Sequence, residues 1–243
     1  PGMSITHATG RRVDFIVIAL LTAGLLLLAY DKWAGIDTPE QSIAVLPFQN
    51  MNPDDERTGF LANGIQEDLL TRLSKLGSLK VISRTSVERY RNLALGVPEI
   101  ARELGVRKVL EGSVQGIGER FRVNVQLIDA VSDEHIWAET YDRDLTARNI
   151  FSMQSEIVET IAKQLDANLT PEENQRIANM PTRSFDAYTA FLRGRNNANI
   201  QSVGSMHEAV SDFREAIELD PEFALAYVGL ADAYLTLGSY FHG

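Results

Sequence analysis

The stretch Ser42–Leu73, SIAVLPFQNMNPDDERTGFLANGIQEDLLTRL, decides how the rest of the chain is read. Ile43, Ala44, Val45 and Leu46 form an apolar run that Pro47 ends, which predicts a short buried strand. A polar loop follows, and then Leu61, Ile65, Leu69, Leu73 and Leu76 recur at helical spacing, which predicts an amphipathic helix with one face on a sheet. The order strand, polar loop, helix puts Asn50, Asn52, Asp54, Asp55 and Glu56 at the carboxyl end of a strand and the start of a helix, where α/β proteins often hold ligands. Two readings compete for these residues. As oxygen donors they suit a hard cation, yet their spacing matches no EF-hand loop. As a turn, Asn-Pro-Asp reverses the chain, the acids complement the helix start, and Thr58 caps it; this reading is preferred. Gly64 weakens the helix relative to alanine, so it marks first a close approach of another backbone and second room for a ligand.

Working outward, LKVISR (Leu79–Arg84) reads as a second short strand. Pro98 suits the first turn of a short helix that Gly105 ends. Phe121, Val123, Val125 and Leu127 alternate with Arg122, Asn124 and Gln126 after the turn at Gly116–Gly118, which predicts a hairpin, and HIWAETYDRD supplies the next strand. Ile150, Met153, Ile157, Ile161, Leu165 and Leu169 line a last helix, with Pro171 as its stop. The expected fold class is therefore α+β, a mixed sheet with helices.

The 243 residues carry a formal net charge of -10 and no cysteine. An acidic chain without a concentrated basic face does not fit nucleic acid. The absence of thiols excludes disulfides, zinc-thiolate sites and thiol catalysis. The histidines are scattered, without an H-E-x-x-H pair or the partners of a serine triad, and no cofactor or metal site is expected. Trp137, Glu139, Tyr141, Asp142, Arg143 and Asp144 combine aromatic and charged groups, but strand alternation accounts for them as buried and solvated faces.

Val13–Tyr30 is apolar except for Asp14 and Thr22, about long enough for a bilayer core of roughly 30 Å. A transmembrane helix is expected over residues 13–33, in preference to a cleaved signal peptide, whose apolar core is shorter. Arg11 and Arg12 place residues 1–12 in the cytoplasm, so the expected location is a bacterial inner membrane, single pass, with the bulk of the chain in the periplasm. The expected organisation continues with a linker at 34–41, the α/β domain at 42–169, a linker at 170–184 and a helical segment at 185–243.

In order and spacing, SIAVLPFQNM, GFLANGIQEDLLTRLSKLGSLKVISRTS, IARELGVRKVLEGSVQ, RFRVNVQLIDAVSDEHIWAETYDRDL and IFSMQSEIVETIA resemble the TolB amino-terminal-like domain of membrane-anchored bacterial signalling and regulatory proteins. The resemblance covers about Ser42–Leu169. It implies a noncatalytic module that follows a membrane span, precedes tetratricopeptide repeats and is joined to a DNA-binding or cyclase domain upstream. TolB's propeller is absent, so a Tol-envelope role is not implied. Independently, Ala209, Phe213, Ala216 and Pro221, then Tyr227, Leu230, Ala231 and Tyr234, fall at the small, aromatic and proline places of such repeats. Tyr188, Leu192 and Gly194 fit a preceding first helix, with NNANIQSVGSM as an enlarged loop. One and a half repeats are fewer than a stable array needs, so the chain is expected to be a piece of a longer protein.

The functional expectation is an extracytoplasmic interaction or sensor module that binds protein partners. Its candidate contacts are Asn50, Asn52, Asp54, Asp55, Gly64, Tyr188, Tyr227 and Tyr234. The alternatives are an accessory region of a membrane-bound adenylate cyclase and a structural envelope component.

Overall fold

The computed structural model describes residues 17–18, 20–25, 39–91 and 93–242. Residues 39–243 group as one compact unit, apart from 1–38. The expected span over 13–33 is corrected: among the described residues, no helix is long and apolar enough to cross a membrane. Only 17–18 and 20–25 of that segment are described, and the rest of it lies outside the described residues. The fold class of the described residues is thus α+β, a mixed sheet with helices. The inner-membrane, single-pass location loses its support with the expected span.

Six strands make the sheet: β1 (Ser42–Val45), β2 (Gln49–Asn50), β3 (Lys80–Val81), β4 (Lys108–Ile117), β5 (Arg120–Asp129) and β6 (Glu134–Asp144). Their order is β3-β1-β4-β5-β6. β1 runs parallel to β3 and β4, while β4, β5 and β6 are antiparallel neighbours. Pro47 cannot donate to a ladder, and there the chain leaves β4 after Val45↔Leu110 and rejoins it at Gln49↔Ser113 as β2. The β4–β5 turn is two residues, Gly118–Glu119, and Gly118 sits at φ 61°, a conformation that a side chain disfavours.

β1 is buried on both faces. Ile43 and Val45 join the main core, whereas Ala44 and Leu46 join a smaller core with Val87, Tyr90, Ile100, Ala101, Val106 and Val109. The main core lies under α1 (Glu56–Leu73) and α4 (Ala147–Gln164). Leu61, Ile65, Leu69, Leu73 and Leu76 are all buried, each contributing roughly 1.5–3 kcal/mol of transfer free energy. The smaller core lies under α2 (Arg84–Glu88) and α3 (Val97–Leu104), the latter with Pro98 in its first turn and Gly105 in the left-handed region at its end. Phe121, Val123, Val125 and Leu127 of β5 face the main core.

Two boundaries differ from the sequence reading. The helix after β6 ends at Gln164, and Pro171 begins α5 (Pro171–Ile177) rather than stopping α4. Thr170 and Glu173 form a capping box, and proline at the first helical position loses no hydrogen bond, so the same residue that breaks one helix suits the start of the next. The expected enlarged loop after Arg195 is also shorter. α6 (Phe185–Asn199) continues through the asparagines, and α7 (Val203–Leu219) starts on a capping box of Ser202 and Ser205. α8 (Ala224–His242) follows the turn at Asp220–Phe223.

α1 has a second packed face. A Cβ at Gly64 would stand 2.5 Å from Leu192 Cδ2, so the missing side chain is what lets α6 lie against α1. Gly64→Val is therefore expected to lower unfolding stability by about 1–3 kcal/mol through overpacking. In a Leu192→Ala background, chemical denaturation should show less than half of that penalty, because the two changes share one contact.

Candidate functional site

The loop between β2 and α1 closes on itself. Asp55, not Thr58, is the N-cap: its Oδ1 accepts from the Arg57 N–H (3.0 Å), and the Thr58 hydroxyl donates to its Oδ2 (2.6 Å). Thr58 is buried and faces inward, where it serves the cap rather than being one. That hydrogen bond, ahead of those from the Arg57 and Thr58 N–H groups, holds the Asp55 carboxyl below its ordinary range. Asn52 is a clip to the sheet, since its Oδ1 accepts from the Gly116 N–H (2.8 Å) and its Nδ2 donates to the Gly116 carbonyl (3.3 Å). Asn50 Oδ1 accepts from the Asn52 N–H (2.8 Å), and its Nδ2 donates to the Asp55 carbonyl (3.3 Å). Asp54 faces solvent. With the side-chain oxygens of Asn50, Asn52 and Asp55 committed, the arrangement caps and fastens a helix; among the described residues, no group of acids and histidines could hold a metal ion.

Tyr188 is not on a surface. It is 1% exposed, edge-on to Phe151 at 4.8 Å, and its hydroxyl donates to Asp68 Oδ2 (2.6 Å). The same carboxylate takes Gln154 Nε2 (3.2 Å) on Oδ2 and Arg195 Nη1 (2.9 Å) on Oδ1. Arg195 reaches on to Glu67 Oε2 (2.6 Å). Burial, and then the Asp68 charge, push the Tyr188 hydroxyl well above its usual pKa. Burial alone would lower that of Arg195, but the fields of Asp68 and Glu67 outweigh it and raise it. The cluster thus holds a neutral phenol and a fixed cation, and neither exchanges a proton near neutrality. One turn on, Arg72 is buried and donates to the carbonyls of Ile177 and Asn179 (3.1 Å to the latter), which ties α5 and the following turn to α1.

Sequence reasoning missed Asp68, Gln154 and Arg195. A signal existed, since Gln66 and Asp68 on α1 and Gln154 on α4 sit beside apolar stripe positions.

The remaining candidates, Tyr227 and Tyr234, lie on α8 and are half-exposed. The Tyr227 hydroxyl donates to the Pro221 carbonyl (3.2 Å), and Tyr234 receives Arg214 at its hydroxyl and over its ring. Leu225, Val228 and Leu235 are exposed beside them, and Leu235 is 74% exposed. The inner side of α8 is buried through Ala226, Ala233 and Leu237, and Gly229 and Gly194 admit the Phe213 ring from opposite neighbours. The candidates therefore form three separate places: the capping loop, the α1–α6 seam with Gly64 and Tyr188, and the outer face of α8.

A further cavity of about 590 Å³ opens on the sheet face that α2 and α3 leave uncovered. Its floor is polar but paired sideways: Thr140 Oγ1 donates to Asn124 Oδ1 (2.9 Å), Asn124 Nδ2 to Ser113 Oγ (3.2 Å), and Gln126 to Glu111.

An α+β domain whose mixed sheet carries helices on both faces, joined through a buried polar seam to antiparallel helices, defines the class. Within it the chain belongs to the HilA/YgeH-like transcriptional regulators, residues 39–160 matching the second domain of that family. A Rhizobium meliloti (strain 1021) protein named "Putative adenylate cyclase 3" is 40% identical over 195 residues, which cover 80% of this chain and 33% of that one. The chain thus spans about a third of the length of the curated relative it matches. Among solved structures, it is similar to TolB from Acinetobacter baumannii, at 21% identity over 51% of this chain and 28% of that one, with a TM-score of 0.38. Lipoprotein GNA1162 from Neisseria meningitidis is similar at 20% identity over 54% of this chain and 99% of that one, with a TM-score of 0.38.

Two outcomes are expected of the cap and the seam. Asp55→Ala should cost about 1 kcal/mol at neutral pH. Because the folded-state pKa of Asp55 is depressed, its contribution is present above the unfolded value and lost as pH falls through the folded one. The gap between the two proteins in denaturant midpoint should therefore narrow below about pH 4. Tyr188→Phe should cost about 1–3 kcal/mol, because the Asp68 carboxylate loses a buried donor.

Proposed function

We propose that this region is a noncatalytic interaction module of a bacterial regulatory protein, binding protein partners through its α/β domain and through helices of the tetratricopeptide kind. The observation that carries the reading is the outer face of α8, where Leu225, Tyr227, Val228, Tyr234 and Leu235 remain exposed while the opposite side of the same helix is buried. A contiguous apolar helix face of this sort marks a surface that another polypeptide covers. The packing of Phe213 between Gly194 and Gly229, with buried Ala209 and Ala216, supports the repeat assignment made for residues 185–243. Family membership among transcriptional regulators supports a regulatory setting.

A second reading has its own support in the relative named as an adenylate cyclase: the chain would be an accessory region of such an enzyme. Cyclisation of ATP needs positioned phosphate and metal ligands, and in the capping loop Asp55 is committed to the Arg57 N–H and the Thr58 hydroxyl, and Asn52 to Gly116. On this reading too, chemistry belongs to another part of the whole protein.

The test combines two measurements. A photo-crosslinking amino acid at Tyr227, Tyr234 or Leu235 in the native host should give discrete protein adducts, and the same group at Val131, which is 73% exposed on the β5–β6 turn, should not. The purified chain with ATP and Mg²⁺ should form no cyclic AMP above a heat-treated control. Equal labelling at Val131 and on α8, or turnover of ATP, would overturn the proposal.

A further inference from the structure

A groove of about 660 Å³ separates the amino-terminal half of α1 from the α6–α7 pair. One wall carries Glu56, Phe60 and Asn63 of α1, spaced so that they share one helix face. The other carries Asn196 of α6 and Glu208 of α7. Except for Ser211, the other polar side chains lining it are already engaged. Arg193 is paired with Asp212 (3.1 Å) and Glu215, Asn197 Nδ2 donates to Asp212 Oδ2 (2.8 Å), and Asn50 belongs to the capping loop. Asn63 and Asn196 differ: both are half-buried, and neither side-chain amide has a hydrogen-bond partner among the described residues.

We infer that this groove binds an extended, basic segment of a partner polypeptide. A primary amide presents one donor edge and one acceptor in a plane, which complements the N–H and C=O of an extended peptide. Asn63 and Asn196 stand on opposite walls and so address both edges of such a strand. Arg193 is cancelled by its two carboxylates, so Glu56 and Glu208 set an acidic rim, and a chain with lysine or arginine complements it. Phe60 gives the aliphatic stem of a lysine or arginine an apolar surface to lie on. The inference rests on the interaction reading above and adds to it a site and a partner chemistry.

The test uses the full chain and three acetylated, amidated, fluorescein-labelled ten-residue peptides: alternating Lys–Thr, its Glu–Thr counterpart, and a Lys–Thr peptide N-methylated at every second residue. Fluorescence anisotropy should show the Lys–Thr peptide binding and the other two at least ten-fold weaker. Asn63→Ala with Asn196→Ala should weaken the Lys–Thr peptide at least ten-fold. Alanine is a strong helix former, and the unchanged circular dichroism and melting temperature expected of this variant separate lost binding from lost fold. Glu56→Gln with Glu208→Gln should weaken binding and reduce its salt dependence. Absence of Lys–Thr binding overturns the inference. So does equal affinity for the N-methylated peptide or for the doubly alanine-substituted chain, either of which would mean charge attraction alone. If the groove fails while crosslinks on α8 persist, the interaction module stands without this site; if the α8 crosslinks fail as well, both readings fall.

Discussion

The carboxylate of Asp68 is the point through which the two halves of the compact unit are joined. It projects from α1, takes Gln154 from α4 on one oxygen, and takes Tyr188 and Arg195 from α6 across both. A carboxylate drawn largely out of water is expensive unless its lone pairs are filled, and here, with the Asp68 side chain 18% exposed, three donors from two other helices bind it. The register of α6 on α1 is thereby specified more sharply than Leu192 against Gly64 could specify it alone, since apolar contact tolerates sliding and a three-donor carboxylate does not. Arg72 extends the same logic to α5, spending its donors on carbonyls that the end of that helix would otherwise leave open. The mixed sheet and the helical pair are therefore one packed body over residues 39–243.

Much of the sheet domain was legible in the sequence because its elements answer to local rules. The stripe from Leu61 to Leu76, the alternation from Phe121 to Leu127 and the pairing of Pro98 with Gly105 are each read from spacing alone, and each is where the spacing puts it. The misreadings arise where one residue serves two rules. Pro171 ends a helix as readily as it begins one, and what decides between them is Thr170 and Glu173 beside it. The loop after Arg195 looked long because asparagine favours turns, yet Asn196 and Asn197 continue a helix held by packing. Leu-rich sequence before Tyr30 reads as a span on hydropathy alone, whereas among the described residues no helix meets the length and polarity of one.

The site was harder to read because partners at long sequence separation fill it. Asp55 and Asn52 look like free ligands in a linear sequence. Asp55 becomes a cap through its near neighbours Arg57 and Thr58, whereas Asn52 becomes a clip only once Gly116, far along the chain, is brought to it by β4. Tyr188 fits a repeat position by spacing, but its hydroxyl is spent on Asp68, 120 residues away. Sequence patterning reports which residues share a face. It does not report which polar groups are already satisfied, and that second question separates structure from function here.

Satisfaction of polar groups divides the described residues into a part that holds and a part left exposed. In the capping loop, the seam and the sheet-face cavity, most carboxylates and amides answer one another or the backbone, which rigidifies a scaffold, although Gln154 Oε1 and Arg195 Nε in the seam are buried without a partner among the described residues. On α8 the opposite holds for apolar surface, and in the α1–α6–α7 groove it holds for the amides of Asn63 and Asn196. Catalysis would require strained or shifted groups converging on one pocket. The most strongly shifted groups here, Tyr188 and Arg195, are instead moved further from neutrality and locked in the seam, where they fix geometry. That seam fixes α1, α4 and α6 against one another through a single carboxylate.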